Sequence, residues 1–267
     1  MKLSFAVSLQ KTKFGAIAFG ESFTAIVSEL KKLGYQGIEL AVRNPNEIEM
    51  GEVKPAIDDS GLTVPAIGTG QAFIEEGLSL SSLEAGVRKK TIERLKSHVD
   101  FASQWRSLVI IGLIRGNLPL EEEKRGEALA YFKESLLECS HFAKEKGIKL
   151  VIEPLNRYEI NFLNTIEETS EFISSLQDDN LGILADSFHM NIEEVDFYQS
   201  IFGAGKYIWH FHVADSNRWA PGWGHTDFTS IFRALQDINY QGFVSAEIIQ
   251  QPNFSEAAKQ TINYLIR

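Results

Sequence analysis

The sequence is short of cysteine, of positive charge and of long apolar runs. One cysteine, Cys139, among 267 residues leaves no partner for an internal disulfide and no cysteine-rich zinc module. It falls in a helical stretch and reads as a small core residue, not a nucleophile. Lys and Arg number 26 against 36 Asp and Glu, a formal net charge of −10. That sign repels phosphate backbones and anionic lipid, so neither a nucleic-acid nor a membrane partner is expected. No apolar segment approaches the ~20 residues needed to span a bilayer. Residues 1–8 carry one Lys and then strand-like residues, so no cleavable leader is expected and the reading is a cytoplasmic protein. The loop 9–20 also lacks the G-x-G-x-x-G of a dinucleotide fold, which counts against an open doubly wound sheet, the architectural alternative.

What is present is alternation. Hydrophobic residues make up 44% and charged residues 23%, enough to bury a core. Strand-like apolar runs fall at 3–8, 37–42, 63–67, 108–113, 149–153, 181–186, 208–215 and 243–248. Helical stretches lie between and after them at 23–33, 53–59, 83–105, 121–146, 166–176, 197–202, 228–237 and 255–266. Gly34, Gly61 and Gly147 stand where helices should stop. Short apolar runs between helices indicate parallel strands buried on both faces. Eight such units with no linker predict an α/β protein, a single-domain (β/α)8 barrel over residues 1–267, with its active site at the C-terminal strand ends.

The ends of the last four predicted strands are Glu153, Asp186, His212 (with Asp215 just beyond) and Glu247. Each is about 30 residues from the next, one strand–helix unit, so all four point at one mouth. Pro154 stops the fifth strand directly after its glutamate. Three hard oxygen donors and one nitrogen suit Mn²⁺ or Mg²⁺ better than a structural zinc. Any one of these residues alone reads as a solvated strand-end charge; four in succession read as a metal site. His210 shares a strand face with His212 one layer lower and reads as a hydrogen-bonded core residue, while His98 and His141 read as helix-face or surface residues.

The motifs E-P-L-N-R-Y-E at 153–159, L-A-D-S-F-H-M-N at 184–191, F-H-V-A-D-S-N-R at 211–218 and A-E-I at 246–248 resemble the xylose isomerase-like TIM-barrel superfamily. Within it the chain resembles the ketose 3-epimerase group, which includes the D-tagatose and D-psicose 3-epimerases. Segments 66–72, 109–116 and 217–228 resemble the bacterial 5-keto-L-gluconate epimerases more closely still. The resemblance implies that Glu153, Asp186, His212 and Glu247 bind one divalent cation, Mn²⁺ first with Mg²⁺ or Co²⁺ as alternatives. It implies that Glu153 and Glu247 are the catalytic acid/base pair and that Glu159, His189 and Arg218 hold substrate oxygens. It also implies a homo-oligomer, a dimer or tetramer.

Epimerisation beside a ketone needs a Lewis acid, a base on one face and an acid on the other. Glutamates on strands three units apart can flank a substrate in that way. The expected substrate is a small, non-phosphorylated ketose or keto-sugar acid, of the 5-keto-L-gluconate or D-tagaturonate type. The loop 249–254 lacks the glycines of a phosphate site. Arg115 and Arg43 are candidates for a substrate carboxylate and Gln71 for hydroxyls, each with an ordinary surface role as the competing reading. Trp219 and Trp223 are candidates for a lid, a sugar platform or a subunit interface. A D-tagatose/D-psicose 3-epimerase, a hydroxypyruvate-type isomerase and an inosose dehydratase use the same groups. An endonuclease IV-type repair enzyme would need histidines at the third and fourth strand ends, where the chain reads Gly68-Thr69-Gly70-Gln71 and Gly112-Leu113-Ile114-Arg115. A non-enzymatic sugar-binding module would not need two carboxylates beside a metal.

Overall fold

The computed structural model describes residues 1–20 and 22–266. Eight parallel strands close into a barrel in chain order: β1 (Lys2–Ser8), β2 (Glu39–Ala41), β3 (Ala66–Gly68), β4 (Leu108–Ile111), β5 (Leu150–Ile152), β6 (Leu181–Asp186), β7 (Ile208–Val213) and β8 (Phe243–Ala246). β8 returns to β1 with Phe5 opposite Ala246. Around them run α1 (Phe23–Leu33), α2 (Met50–Ser60), α3 (Gly70–Glu76), α4 (Ala85–Ala102), α5 (Glu122–Glu145), α6 (Ile166–Leu176), α7 (Ser187–Glu193), α8 (Phe197–Gly203), α9 (Phe228–Asp237) and α10 (Phe254–Leu265). The expected barrel is therefore present, and no helix is long and apolar enough to cross a membrane.

The strands are buried on both sides, with polar Glu39, His210 and His212 among the interior residues. The outward residues join the inward stripes of the helices: Leu3, Phe5 and Val7 of β1 share one buried cluster with Ile26, Val27 and Leu30 of α1. The inward residues form a separate core inside the barrel from Ala66, Ile110, Val151 and Leu184, with Leu108 and Trp209 packed against it. Gly182 is required there, because a Cβ on it would overlap the Trp209 ring. The β6–β7 pairing slips between Ile183 and Leu184, and after the slip Asp186 lies directly opposite His212. An irregularity in the ladder thus sets the register of two candidate ligands.

Two helices escape the sequence reading. α3 begins at Gly70, inside a Gly-Thr-Gly stretch that signals a loop, and α7 follows β6 with no intervening residue. His98 was expected on a helix face or the surface, yet it is fully buried. Its ring spans Arg94 O and Val42 O, each at 2.8 Å, and burial pulls its pKa down to about 4. His210 is buried and hydrogen-bonded, as its place on β7 suggested. Cys139 is buried within α5, and burial pushes its thiol up to about 12, the behaviour of a packing residue.

Candidate metal and acid–base site

The C-terminal end of each of the last four strands positions one side chain. Glu153 follows β5, and its backbone N–H still donates to Ile111 O of β4 at 3.1 Å before Pro154 ends the ladder. A Cβ on Gly112 would overlap Glu153 Oε2, so only glycine at the end of β4 leaves room for this carboxylate. Asp186 caps α7: its Oδ1 accepts the Phe188 N–H at 2.8 Å, which leaves Oδ2 free to face the barrel axis. Ser187 ties the ends of β6 and β7 together, donating to Ala214 O at 2.7 Å and accepting from Ala214 N at 2.9 Å. The first turn of α7 then carries His189 inward, where it is 1% exposed.

Ligand atoms of Glu153, Asp186, His212 and Glu247 lie within 4.8 Å of one another. His212 Nδ1 is 3.9 Å from Glu153 Oε1. Asp186 Oδ2 and His212 Nδ1 are buried with no hydrogen-bond partner. Burial raises the Glu153 carboxyl well above its usual range and the Glu247 charge adds to this; burial likewise lifts Asp186 to about 6. Burial works against a charged His212, but the Glu39 carboxylate more than offsets it and holds the ring up at about 10. A cation at Nδ1 would take the place of that proton. Buried carboxylates that repel one another, with two orphaned ligand atoms among them, fit a divalent cation.

Above the cluster, Arg218 is enclosed by acids and rings. Its Nη2 donates to Glu247 Oε2 at 2.7 Å and its Nη1 to Glu159 Oε1 at 3.3 Å. The guanidinium carbon stands 4.9 Å from the Phe14 ring centre and 4.6 Å from that of Phe188. Its backbone is in the left-handed region at φ 62°, held by Arg218 N–H to Asp215 O and Ile249 N–H to Arg218 O, both 2.7 Å. Asp215 does not join the ligand cluster. It accepts the N–H groups of Ser216 (2.8 Å), Gly222 (2.7 Å) and Thr226 (3.0 Å) and so shapes the loop that carries Arg218.

His189 is poised as a donor. Asn156 Oδ1 accepts the Tyr158 N–H at 3.0 Å, which orients the amide so that Nδ2 donates to His189 Nδ1 at 2.8 Å and to Glu159 Oε1 at 3.0 Å. With Nδ1 accepting, the proton sits on Nε2, which has no partner and lies 3.7 Å from Asp186 Oδ2 and 3.9 Å from Glu153 Oε1. Burial, reinforced by the Arg218 charge, keeps this ring well below its usual pKa and therefore neutral.

Most of these groups border a solvent-open cleft with about 540 Å³ of empty space. Its lining combines Glu153, Glu159, His212, Arg218 and Glu247 with apolar Phe14, Ile17, Ile74, Leu113 and Leu155 and with Thr69 and Gln71. Gln71 is buried, donates from Nε2 to Ser8 Oγ at 2.6 Å and keeps Oε1 without a partner. Arg115 requires a correction as a substrate-binding candidate. It is 0% exposed, does not line the cavity, and spends its guanidinium on the carbonyls of Gly112 (3.1 Å), Glu153 (2.7 Å), Phe162 (3.3 Å) and Leu163 (3.2 Å). The tight turn Leu113–Arg115 points it back beneath the loops, and burial lowers its pKa to about 10. Arg43 bonds Glu47 at 2.7 Å, and Trp219 and Trp223 are 39% and 36% exposed; none of the three lines the cavity.

Two residues with evident roles carry no clear sequence signal. Asn156 lies inside the E-P-L-N-R-Y-E stretch, where nothing in the local pattern marks its contact with His189. Glu39, inside an apolar strand run, bonds both His210 and His212.

Comparison with known proteins gives the same picture. The family model for the xylose isomerase-like TIM barrel matches residues 27–267. The D-psicose 3-epimerase of Agrobacterium fabrum (strain C58) is 34% identical over 235 residues, covering 84% of this chain and 78% of that protein. The 3-dehydro-D-guloside 4-epimerase of Escherichia coli K12 is 30% identical over 237 residues, covering 86% and 88%. A crystal structure of D-allulose 3-epimerase from Methylomonas sp. in complex with D-allulose shares the fold, with a TM-score of 0.84 at 22% identity over 100% of this chain and 96% of that one. The chain belongs to the xylose isomerase-like TIM-barrel family and, within it, is a sugar epimerase of the ketose 3-epimerase kind.

Proposed function

We propose that the protein inverts the carbon next to the ketone of a non-phosphorylated ketose or keto-sugar acid, with Glu153 and Glu247 exchanging the proton on opposite faces of the substrate. The observation that carries this reading is the pairing of those two carboxylates in one cluster from strands β5 and β8, with Arg218 bonded to one of them. Glu153, Asp186, His212 and Glu247 would hold one divalent ion, Mn²⁺ by donor type. Such an ion supplies Lewis-acid stabilisation of the negative charge that develops on the substrate oxygens. One glutamate removes the carbon-bound proton, and the other returns a proton from the opposite side. The two exchange roles in the reverse direction.

His189 Nε2–H donates to a reacting oxygen, and Arg218 holds a second one while keeping Glu247 in place. Glu159, bonded to both Asn156 and Arg218, accepts a sugar hydroxyl, as does the free Oε1 of Gln71. Arg218 is the only Lys or Arg on the cavity wall among the described residues, and it already faces two carboxylates. That charge balance supports an uncharged ketose over a phosphorylated sugar. A keto-sugar acid is the second reading, supported by segments 66–72, 109–116 and 217–228. Proton NMR in D₂O with the Mn²⁺-loaded protein and a panel of ketoses and keto-sugar acids tests both. The expected result is a new C-epimer of one class carrying solvent deuterium at the inverted carbon. Turnover only of phosphorylated sugars, or an aldose as sole product, would overturn the proposal.

A further inference from the structure

We infer that Glu39 is a positioning residue that sets the metal affinity of His212 from across the barrel, an inference resting on the metal reading of the Glu153, Asp186, His212 and Glu247 cluster. Glu39 opens β2, whereas His212 is on β7, so the side chain reaches over the barrel axis and not along a neighbouring strand. It is 2% exposed. Its Oε1 and Oε2 stand 2.9 and 3.1 Å from His212 Nε2, and Oε2 is also 2.7 Å from His210 Nε2. The two rings are 5.2 Å apart at 78°, so one carboxylate bridges two imidazoles in successive layers.

A carboxylate at this depth costs several kcal/mol of lost hydration unless its oxygens are satisfied. Packing alone would be served by an apolar residue, as at Ala66 and Ile110 inside the barrel. What the carboxylate adds is directional. It requires a hydrogen on His212 Nε2, which fixes the tautomer that presents the Nδ1 lone pair to the cluster. It also opposes a ring flip, since a flip would exchange a hydrogen-bonded N–H for a C–H. His210 holds the second oxygen and so keeps the carboxylate itself from rotating. Glu39, His210 and His212 are close enough together to hold a cation of their own. The direct hydrogen bonds among them, and the commitment of His212 Nδ1 to the other cluster, point to a proton network instead.

Titrating the metal-free full-length chain with Mn²⁺, followed by the EPR signal of the free ion, tests this without any assay of activity. The wild type is expected to bind one Mn²⁺ per chain. Glu39→Gln, which accepts from one imidazole only, is expected to bind it about 10- to 100-fold more weakly, with the thermal midpoint of the metal-free protein within a few degrees of wild type. His210→Asn leaves Glu39 and His212 in place but removes the lower anchor, so a loss of several-fold is expected; it also serves if Glu39→Gln does not fold. Wild-type affinity in the variants overturns the inference, as does a second Mn²⁺ per wild-type chain that Glu39→Gln abolishes, because Glu39 would then be a ligand itself. A wild-type chain that binds no divalent ion would overturn the metal reading instead, and with it this role.

Discussion

The two halves of the barrel mouth are built from the same strand–helix unit and do different work. β5 to β8 carry Glu153, Asp186, His212 and Glu247 at or directly beside their C-terminal ends, whereas β1 to β4 end in Ser8, Ala41, Gly68 and Ile111 followed by Gly112. In the proposed reaction the later half carries charge and proton chemistry. The earlier half supplies mainly space and wall through Ala41, Gly68, Gly70, Gly112, Ile74 and Leu113, with Thr69, Gln71 and the deep Glu39 carboxylate as its polar points. A small residue facing a large functional one is as much a part of the site as the functional residue, and the Gly112–Glu153 contact makes this concrete.

The strongest way to break the comparison is in the charged half. Glu153→Gln and Glu247→Gln are each expected to lower kcat by about 10²- to 10⁴-fold and to abolish deuterium uptake at the inverted carbon, measured by NMR. Near-normal turnover in either would remove the division of labour. In the earlier half, Gly112→Ala must displace the Glu153 carboxylate. A fall in kcat of about 10²-fold with an unchanged circular dichroism spectrum is expected, and an active Gly112→Ala would show that the space is incidental.

Arg115 lies on the seam between the halves, tying the Gly112 carbonyl to those of Glu153, Phe162 and Leu163. Arg115→Met should cost about 3 kcal/mol, the range for breaking a buried hydrogen-bond network. In a chain of this size that corresponds to a melting-point drop of roughly 6–12 °C. The ratio of kcat/KM between ketoses and keto-sugar acids should stay the same, whereas a carboxylate-binding arginine would shift it. Trp219→Ala and Trp223→Ala should change kcat/KM by no more than about 2-fold, the scale of surface substitutions, because neither ring lines the cavity.

The sequence made the architecture and the candidate ligand cluster legible for one reason: both are periodic. Apolar runs recur once per strand–helix unit, and Glu153, Asp186, His212 and Glu247 recur at their ends. α1, α6 and α9 begin and end where the sequence pattern places them, at Phe23–Leu33, Ile166–Leu176 and Phe228–Asp237. What stayed hidden depends on contacts that no local pattern encodes. Glu39 is an acid inside an apolar run whose partner His212 is 173 residues away. Gly112 matters through one close approach across strands. Arg115 stands at a strand end like a ligand, but a single tight turn sends it beneath the loops. Asp215, only three residues past His212, was grouped with the strand-end acids, yet it folds the following loop around its own carboxylate.

The account turns on two glutamates that move one proton across a substrate, and running the reaction of the Mn²⁺-loaded wild type in D₂O tests that most directly. Mass and NMR analysis of the first epimer formed should find one solvent deuteron, located at the inverted carbon. Inversion with the original hydrogen retained at that carbon would contradict the two-glutamate account.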